Sequence, residues 1–187
     1  MVTTTGARIT AAEFLSLPED GRRHELIDGA HYVTYPNVTH QVLCGRLHLA
    51  LGNFLATRPH LGRVFFPLDV VLSDYDVIGP DLLIVTPDQN QILTEMNVQG
   101  APALAIEVLS PSTRRRDEGV KRRLLDENGA REYWLVDPRH ARVTIFRRAD
   151  DGSFPRVAEI DAIPGAELTS PLLPDLTLSV EQLFSER

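Results

Sequence analysis

Residues 103–109 read Ala-Leu-Ala-Ile-Glu-Val-Leu, an apolar run broken only by a carboxylate, Glu107, in its interior. Seven positions without polar alternation describe a strand covered on both faces, as at the centre of a sheet packed on either side. A lone carboxylate in that setting costs several kcal/mol or takes up a proton, unless an arginine, a lysine or a metal ion compensates it. The strand and its partner therefore have to be explained together.

Two other positions bear on that partner. In Gly-Pro-Asp-Leu-Leu-Ile-Val, Asp81 stands at the start of a second apolar strand, and Lys121 lies in the helical pattern that follows the Glu107 strand. If the two strands are neighbours, Asp81 and Glu107 can face one cleft and hold a divalent ion through oxygen ligands, as magnesium prefers. Such an ion activates water and offsets phosphate charge, while a lysine serves as a mobile point charge beside the phosphate. This is the residue set of metal-assisted phosphodiester hydrolysis. The plainer readings are that Asp81 is a strand-start residue behind Pro80, that Glu107 pairs with an arginine, and that Lys121 pairs on a helix surface with Asp117, four residues earlier.

At 187 residues and 43% hydrophobic content, the chain is expected to form one domain over 1–187. Its net charge of -7 argues against a general nucleic-acid coat protein but leaves room for an acidic metal site with a local contact surface. The single cysteine, Cys44, excludes an internal disulfide and a multi-cysteine zinc site, and its apolar surroundings mark it as core. The opening residues carry no signal-peptide pattern, and no stretch is apolar enough to span a membrane. The expected compartment is the cytoplasm.

Local signals order the rest. Thr10 can cap a short helix, and Asp28-Gly29 joins two short strands in a hairpin. Apolar residues recur at three and four from Thr39 to about Arg58, including Val42, Leu43, Leu47 and Leu51, which predicts a long helix. Strands follow over 63–72 and 80–85, separated by a turn-like 73–79, and then comes the Glu107 strand. Ser112 or Thr113 can cap the next helix, which ends at Asn128-Gly129. Strands around Trp134 and Val143, short strands and a small terminal helix complete the chain. The expected fold is α/β or α+β, a mixed central sheet flanked by helices.

Pro80-Asp81, the run Glu107-Val-Leu-Ser110-Pro111-Ser112-Thr113, Asp117, Lys121, Gly129 and Glu132-Tyr133-Trp134-Leu-Val-Asp137-Pro138 resemble the Uma two family of restriction-endonuclease-like proteins. That family lies within the PD-(D/E)xK nuclease superfamily. Glu25-Leu26-Ile27-Asp28-Gly29 and His40-Gln41 match its pattern upstream, so the resemblance spans nearly the whole chain. It implies a restriction-endonuclease-like fold, with Asp81 and Glu107 as metal-binding acids and Glu25 as a further acid of the site. The superfamily's usual lysine position, two after the glutamate, holds Leu109, and the resemblance implies that Lys121 supplies that charge from the helix. Leu125 stands where relatives often carry a tyrosine.

His40 and Asp117 are candidates for supporting roles around these acids. Arg114, Arg115, Arg116, Lys121, Arg122 and Arg123 form a basic run beside them, a candidate phosphate-binding rim in an otherwise acidic chain. The reading is a magnesium-dependent endonuclease acting on DNA, with manganese as a substitute ion and, by resemblance, a homodimer for cutting both strands. The competing classes are a nuclease-like fold kept as a non-catalytic interaction module, and a metal hydrolase of a smaller phosphate ester.

Overall fold

A computed structural model describes residues 8–185. Thr10 opens α1 (Ala11–Leu15) with a capping box: its hydroxyl accepts from the Glu13 N–H, and the Glu13 carboxylate accepts from the Thr10 N–H at 2.7 Å. β1 (Arg23–Ile27) and β2 (Ala30–Thr34) then pair antiparallel. Asp28 and Gly29 turn between them with φ of 51° and 72°, the two left-handed residues that match a tight turn to the twist of the strands. Gly29 is also needed for space, because a Cβ there would lie 2.6 Å from the Arg8 Cβ. Asn37 caps α2 (Val38–Ala56) through the His40 N–H, so the long helix begins one residue before the Thr39 start expected of it. Leu43, Leu47, Leu51 and Leu55 are its buried stripe, while Val42 faces solvent.

The next segment departs from expectation. Instead of one strand over 63–72 and a turn, the chain forms β3 (Arg63–Phe65), β4 (Val70–Ser73), β5 (Asp76–Ile78) and β6 (Leu82–Val85). Pro67, which has no N–H to offer a ladder, falls in the break between β3 and β4. Residues 73–76 form a tight turn in which the Ser73 hydroxyl donates to Asp76, so Val77 and Ile78 of the presumed turn are buried strand residues. A 3-10 turn (Pro87–Ile92) and β7 (Val98–Gln99) lead to β8 (Leu104–Val108), the strand that carries Glu107.

The helix after β8 has three parts: α3 (Arg114–Arg116), a π-helical turn (Asp117–Lys121) and α4 (Arg122–Glu127). Neither Ser112 nor Thr113 caps it through a side chain. Ser110 closes the start, its hydroxyl 3.3 Å from the Thr113 N–H and its carbonyl accepting from Thr113 and Arg114. Gly129, at φ 83°, ends the helix as anticipated. β9 (Glu132–Asp137), β10 (Arg142–Arg147), β11 (Arg156–Asp161), β12 (Glu167–Ser170), β13 (Leu173–Ser179) and α5 (Val180–Phe184) complete the order. No described helix is long and apolar enough to cross a membrane.

Two sheets and a ribbon result, so the fold is mixed α+β with one more sheet than expected. The six-stranded sheet runs β11-β10-β9-β8-β6-β3, the five-stranded sheet β2-β1-β5-β4-β7, and β12 pairs with β13. β8 and β9 are parallel, a connection that requires the intervening helical crossover. The larger sheet is covered on both faces. Leu82, Ile84, Leu104, Ile106 and Trp134 pack with α2, the ribbon and α5. Leu83, Val85, Ala105, Leu109 and Tyr133 pack with the smaller sheet and α4. By strand alternation Glu107 belongs to the second set, and that is where it meets the smaller sheet.

Leu47 is fully buried on the α2 face, whereas Val42 is 44% exposed. Leu47→Ala should therefore cost about 2–5 kcal/mol in denaturant unfolding. Val42→Ala should stay within about 0.5 kcal/mol of the parent. Equal effects at the two positions would contradict this packing of α2.

Candidate active site

Side chains alternate along β1, so Arg23 and Glu25 share one face and His24 takes the other. The Arg23–Glu25 face looks toward the end of β8. Across from it, the register pairs Leu82 with Ile106, and one residue further along Asp81 and Glu107 stand side by side. The backbone N–H of Val108 donates to Asp81 Oδ2 at 2.7 Å, which joins the two strands at this end. The π turn supplies Asp117 and Lys121; its extra residue per turn is a feature often found where a helix aims side chains at a site. Arg23, Glu25, His40, Asp81, Glu107, Asp117 and Lys121 all line one cleft. Its free space is about 20 Å³, room for a single water or a small ion.

Glu25, Asp81, Glu107 and Asp117 are all buried, as is Lys121. The Lys121 ammonium makes a close ion pair with Glu107 Oε1, lies 2.6 Å from Glu25 Oε1 and 3.3 Å from Asp117 Oδ1. Glu25 Oε1 also accepts from the Gly79 N–H at 3.2 Å. Asp81 is held differently. Its Oδ1 pairs closely with Arg23, which also donates to the Gly79 carbonyl, and its Oδ2 lies 3.0 Å from His40 Nε2.

The two principal acids are thus pushed in opposite directions. Burial alone would raise the Asp81 pKa, but the His40 hydrogen bond and the Arg23 charge more than offset it and hold the group at about 2. Burial raises Glu107 well above the carboxylate range, Lys121 pulls it back, and Asp117, Asp81 and Glu25 push it up again. Asp117 is raised too, chiefly by burial against the pull of Lys121. For Lys121 burial works against the charged form, yet Glu107, Glu25 and Asp117 keep it protonated. One ammonium cannot neutralise three carboxylates, and the surplus negative charge, added to burial, drives the Glu107 pKa up. Two carboxylate oxygens in the cleft, Glu107 Oε1 and Asp117 Oδ1, meet the ammonium as charges without a hydrogen bond of normal geometry.

Oxygen donors in surplus suit a hard divalent cation. A softer set adjoins it: ligand atoms of His40, Cys44 and Asp81 lie within 4.8 Å of one another. Burial pushes the Cys44 thiol up, so it remains neutral and behaves as the core residue expected of it.

The basic run divides. Arg116 reaches the cleft: its Nε lies 4.0 Å from Glu25 Oε2 with no hydrogen bond, and its guanidinium sits over the Tyr32 ring at 4.6 Å. Arg114 turns to Asp137 at 2.6 Å and Glu118 at 2.9 Å. Arg122 lies over the Phe146 ring at 5.1 Å, while Arg115 is exposed. The run is thus not one continuous surface. Sequence reasoning missed Arg23. Its signal was position, two before Glu25, because residues two apart in a strand share a face.

A model of the family described as "Uma2: Putative restriction endonuclease" matches residues 11–181. An uncharacterized protein of Synechocystis is 27% identical over 151 residues, covering 79% of this chain and 78% of that one. A crystal structure described as a "putative nuclease" from Anabaena variabilis matches with a TM-score of 0.78 at 23% identity, over 94% of this chain and 97% of that one. At that identity the likeness is one of fold.

The charge balance yields a pH-dependent expectation. A carboxylate whose pKa is raised by folding stabilises the fold below its unfolded value, and that contribution is lost as pH rises through the folded value. Lys121→Met removes the group that draws Glu107 and Asp117 down, so their pKa values rise further. The variant should lose about 3–5 kcal/mol near neutral pH and considerably less below about pH 3, where both acids are protonated folded or unfolded. Denaturant melts across that range check the sign; a penalty constant with pH would refute this account of the cleft.

Proposed function

The chain belongs to the Uma2 family of restriction-endonuclease-like proteins, and from that premise we propose that it is a magnesium-dependent nuclease that hydrolyses phosphodiester bonds in DNA. The observation that carries this reading is the cleft itself: four buried carboxylates face the cations of Arg23 and Lys121, and two carboxylate oxygens lack a hydrogen bond. Carboxylate oxygens in surplus of fixed positive charge are the donors that magnesium or manganese takes.

In this reading Asp81 and Glu107 would hold the ion, which when bound supplies a Lewis acid for the phosphate and lowers the pKa of water. Asp81 is ionised at any physiological pH and needs only to exchange Arg23 for the metal. With the Glu107 pKa raised, metal entry competes with its protonation, so affinity should rise with pH. Lys121, fixed by Glu25 and Asp117, neutralises charge on the phosphate and orients the attacking water. His40 keeps Asp81 aligned through its 3.0 Å contact. Arg116, with an unspent Nε–H beside the cleft, and the exposed Arg115 are placed to meet backbone phosphates. Cutting both strands of a duplex in one encounter would favour a homodimer, which brings two such clefts together.

Calorimetric titration of magnesium and manganese, with cleavage of duplex and single-stranded DNA, tests the assignments. Asp81→Asn and Glu107→Gln should lose both metal binding and cleavage. Lys121→Met should cut the cleavage rate by about a hundred- to a thousand-fold and retain metal binding, since removing a neighbouring positive charge favours a cation. Arg115→Ala should weaken DNA binding and lower its salt dependence by about one unit of slope. If the wild type binds no divalent ion and cuts neither substrate with any of several metals, the fold serves as a binding module and the catalytic reading fails.

A further inference from the structure

The opposite face of β1 carries a second constellation. His24, between Arg23 and Glu25, points away from the cleft, and His31 on β2 lies diagonal to it on the same face. His24 Nδ1 and His31 Nε2 are 2.7 Å apart. Their ring centroids are 4.9 Å apart with planes inclined by 27°, so the rings meet edge to edge, nitrogen toward nitrogen, rather than overlapping. Asp20 Oδ1 lies 2.8 Å from His24 Nε2, the other nitrogen of the same ring.

That carboxylate decides the tautomer. With Nε2–H donating to Asp20, neutral His24 presents a bare lone pair at Nδ1, directed at His31. A carboxylate on the far nitrogen of an imidazole whose near nitrogen is free is the outer-shell arrangement of histidine metal ligands. We propose that His24 Nδ1 and His31 Nε2 bind a divalent transition-metal ion of the imidazole-preferring class, with zinc as its probe, at a site back to back with the cleft. The ion takes the place of the His31 Nε2 proton now directed at His24, and His31 shifts that same proton to its own Nδ1, so both rings stay neutral and no proton is released. Tetrahedral zinc at the usual Zn–N length requires the two nitrogens to part by roughly 0.6 Å, which strand side chains accommodate. The remaining positions are left to water, which a groove of about 480 Å³ beside His24 can supply.

Neither histidine belongs to the hydrolytic cleft, and imidazole nitrogens attract zinc while magnesium keeps to oxygen, so the two sites are separable by metal. A bound ion would cross-link β1 to β2 behind the strand that presents Arg23 and Glu25. The test is zinc titration of the full chain, with anomalous diffraction from zinc-soaked crystals. The expected result is a zinc peak between His24 Nδ1 and His31 Nε2. The variant with both His24→Gln and His31→Gln should lose one zinc equivalent and keep its magnesium binding or, if the cleft binds none, its wild-type melting curve. Asp20→Asn, at an exposed side chain whose change does not threaten folding, should weaken the same zinc event about 10- to 100-fold. Unchanged zinc stoichiometry and affinity in these variants, or no peak at the pair, would overturn the site whatever the cleft proves to do.

Discussion

The ammonium of Lys121 is the point on which this architecture converges. Three elements, β1, the end of β8 and the π turn, each deliver a carboxylate to it. Without the ammonium, Glu25, Glu107 and Asp117 would repel one another where burial leaves little water to screen them. With it, the smaller sheet can close over the larger one at their polar end, while Ile27, Val70 and Ile78 pack against Leu83 and Ala105 nearby. Hydrophobic burial holds the sheets together, and the ion-pair cluster determines where along their length a polar opening survives.

Asp81 and Glu107 show how one site keeps two carboxyl groups in different states. A strand-end backbone N–H, an imidazole and an arginine hold Asp81 ionised. Glu107, buried, competes with two other acids for one ammonium, and its pKa is driven up. Environments that separate the pKa values of neighbouring acids are a recurrent property of hydrolytic sites, because the two groups can then act differently at one pH. Here the separation arises from partners contributed by β1, α2 and the π turn.

Much of this was legible in the sequence because it is written locally. The unalternating strand around Glu107, the Asp28-Gly29 hairpin and the leucine stripe of α2 are short-range patterns, and each appears close to where it was expected. The grouping of Asp81, Glu107 and Lys121 was legible in the strand and helix patterns, whereas Glu25 came in only through family resemblance. What escaped depends on distant partners. Val77 and Ile78 looked like turn residues because Asp74 and Asp76 precede them and Gly79-Pro80 follows, and only pairing with β1 and β4 makes them a strand. The arginine run looked uniform because Asp137 and Phe146, which draw Arg114 and Arg122 aside, lie many residues away. The π turn has no recognised residue code, so the inward aim of Lys121 could be inferred from its role but not from its spacing.

The alternation of β1 has one more consequence. Arg23 and Glu25 face the cleft while His24 faces away, so a one-residue slip against β2 would turn the arginine and glutamate outward and the histidine in. What prevents that slip is the two-residue turn at Asp28 and Gly29, whose conformation leaves no slack in the register. Hairpin tips are ordinarily where chains tolerate insertions and deletions. In this protein the tip sets the phase of β2 against β1, and because β1 is anchored by β5 and its buried Leu26 and Ile27, an added residue at the tip would be taken up by β2 at the sheet edge.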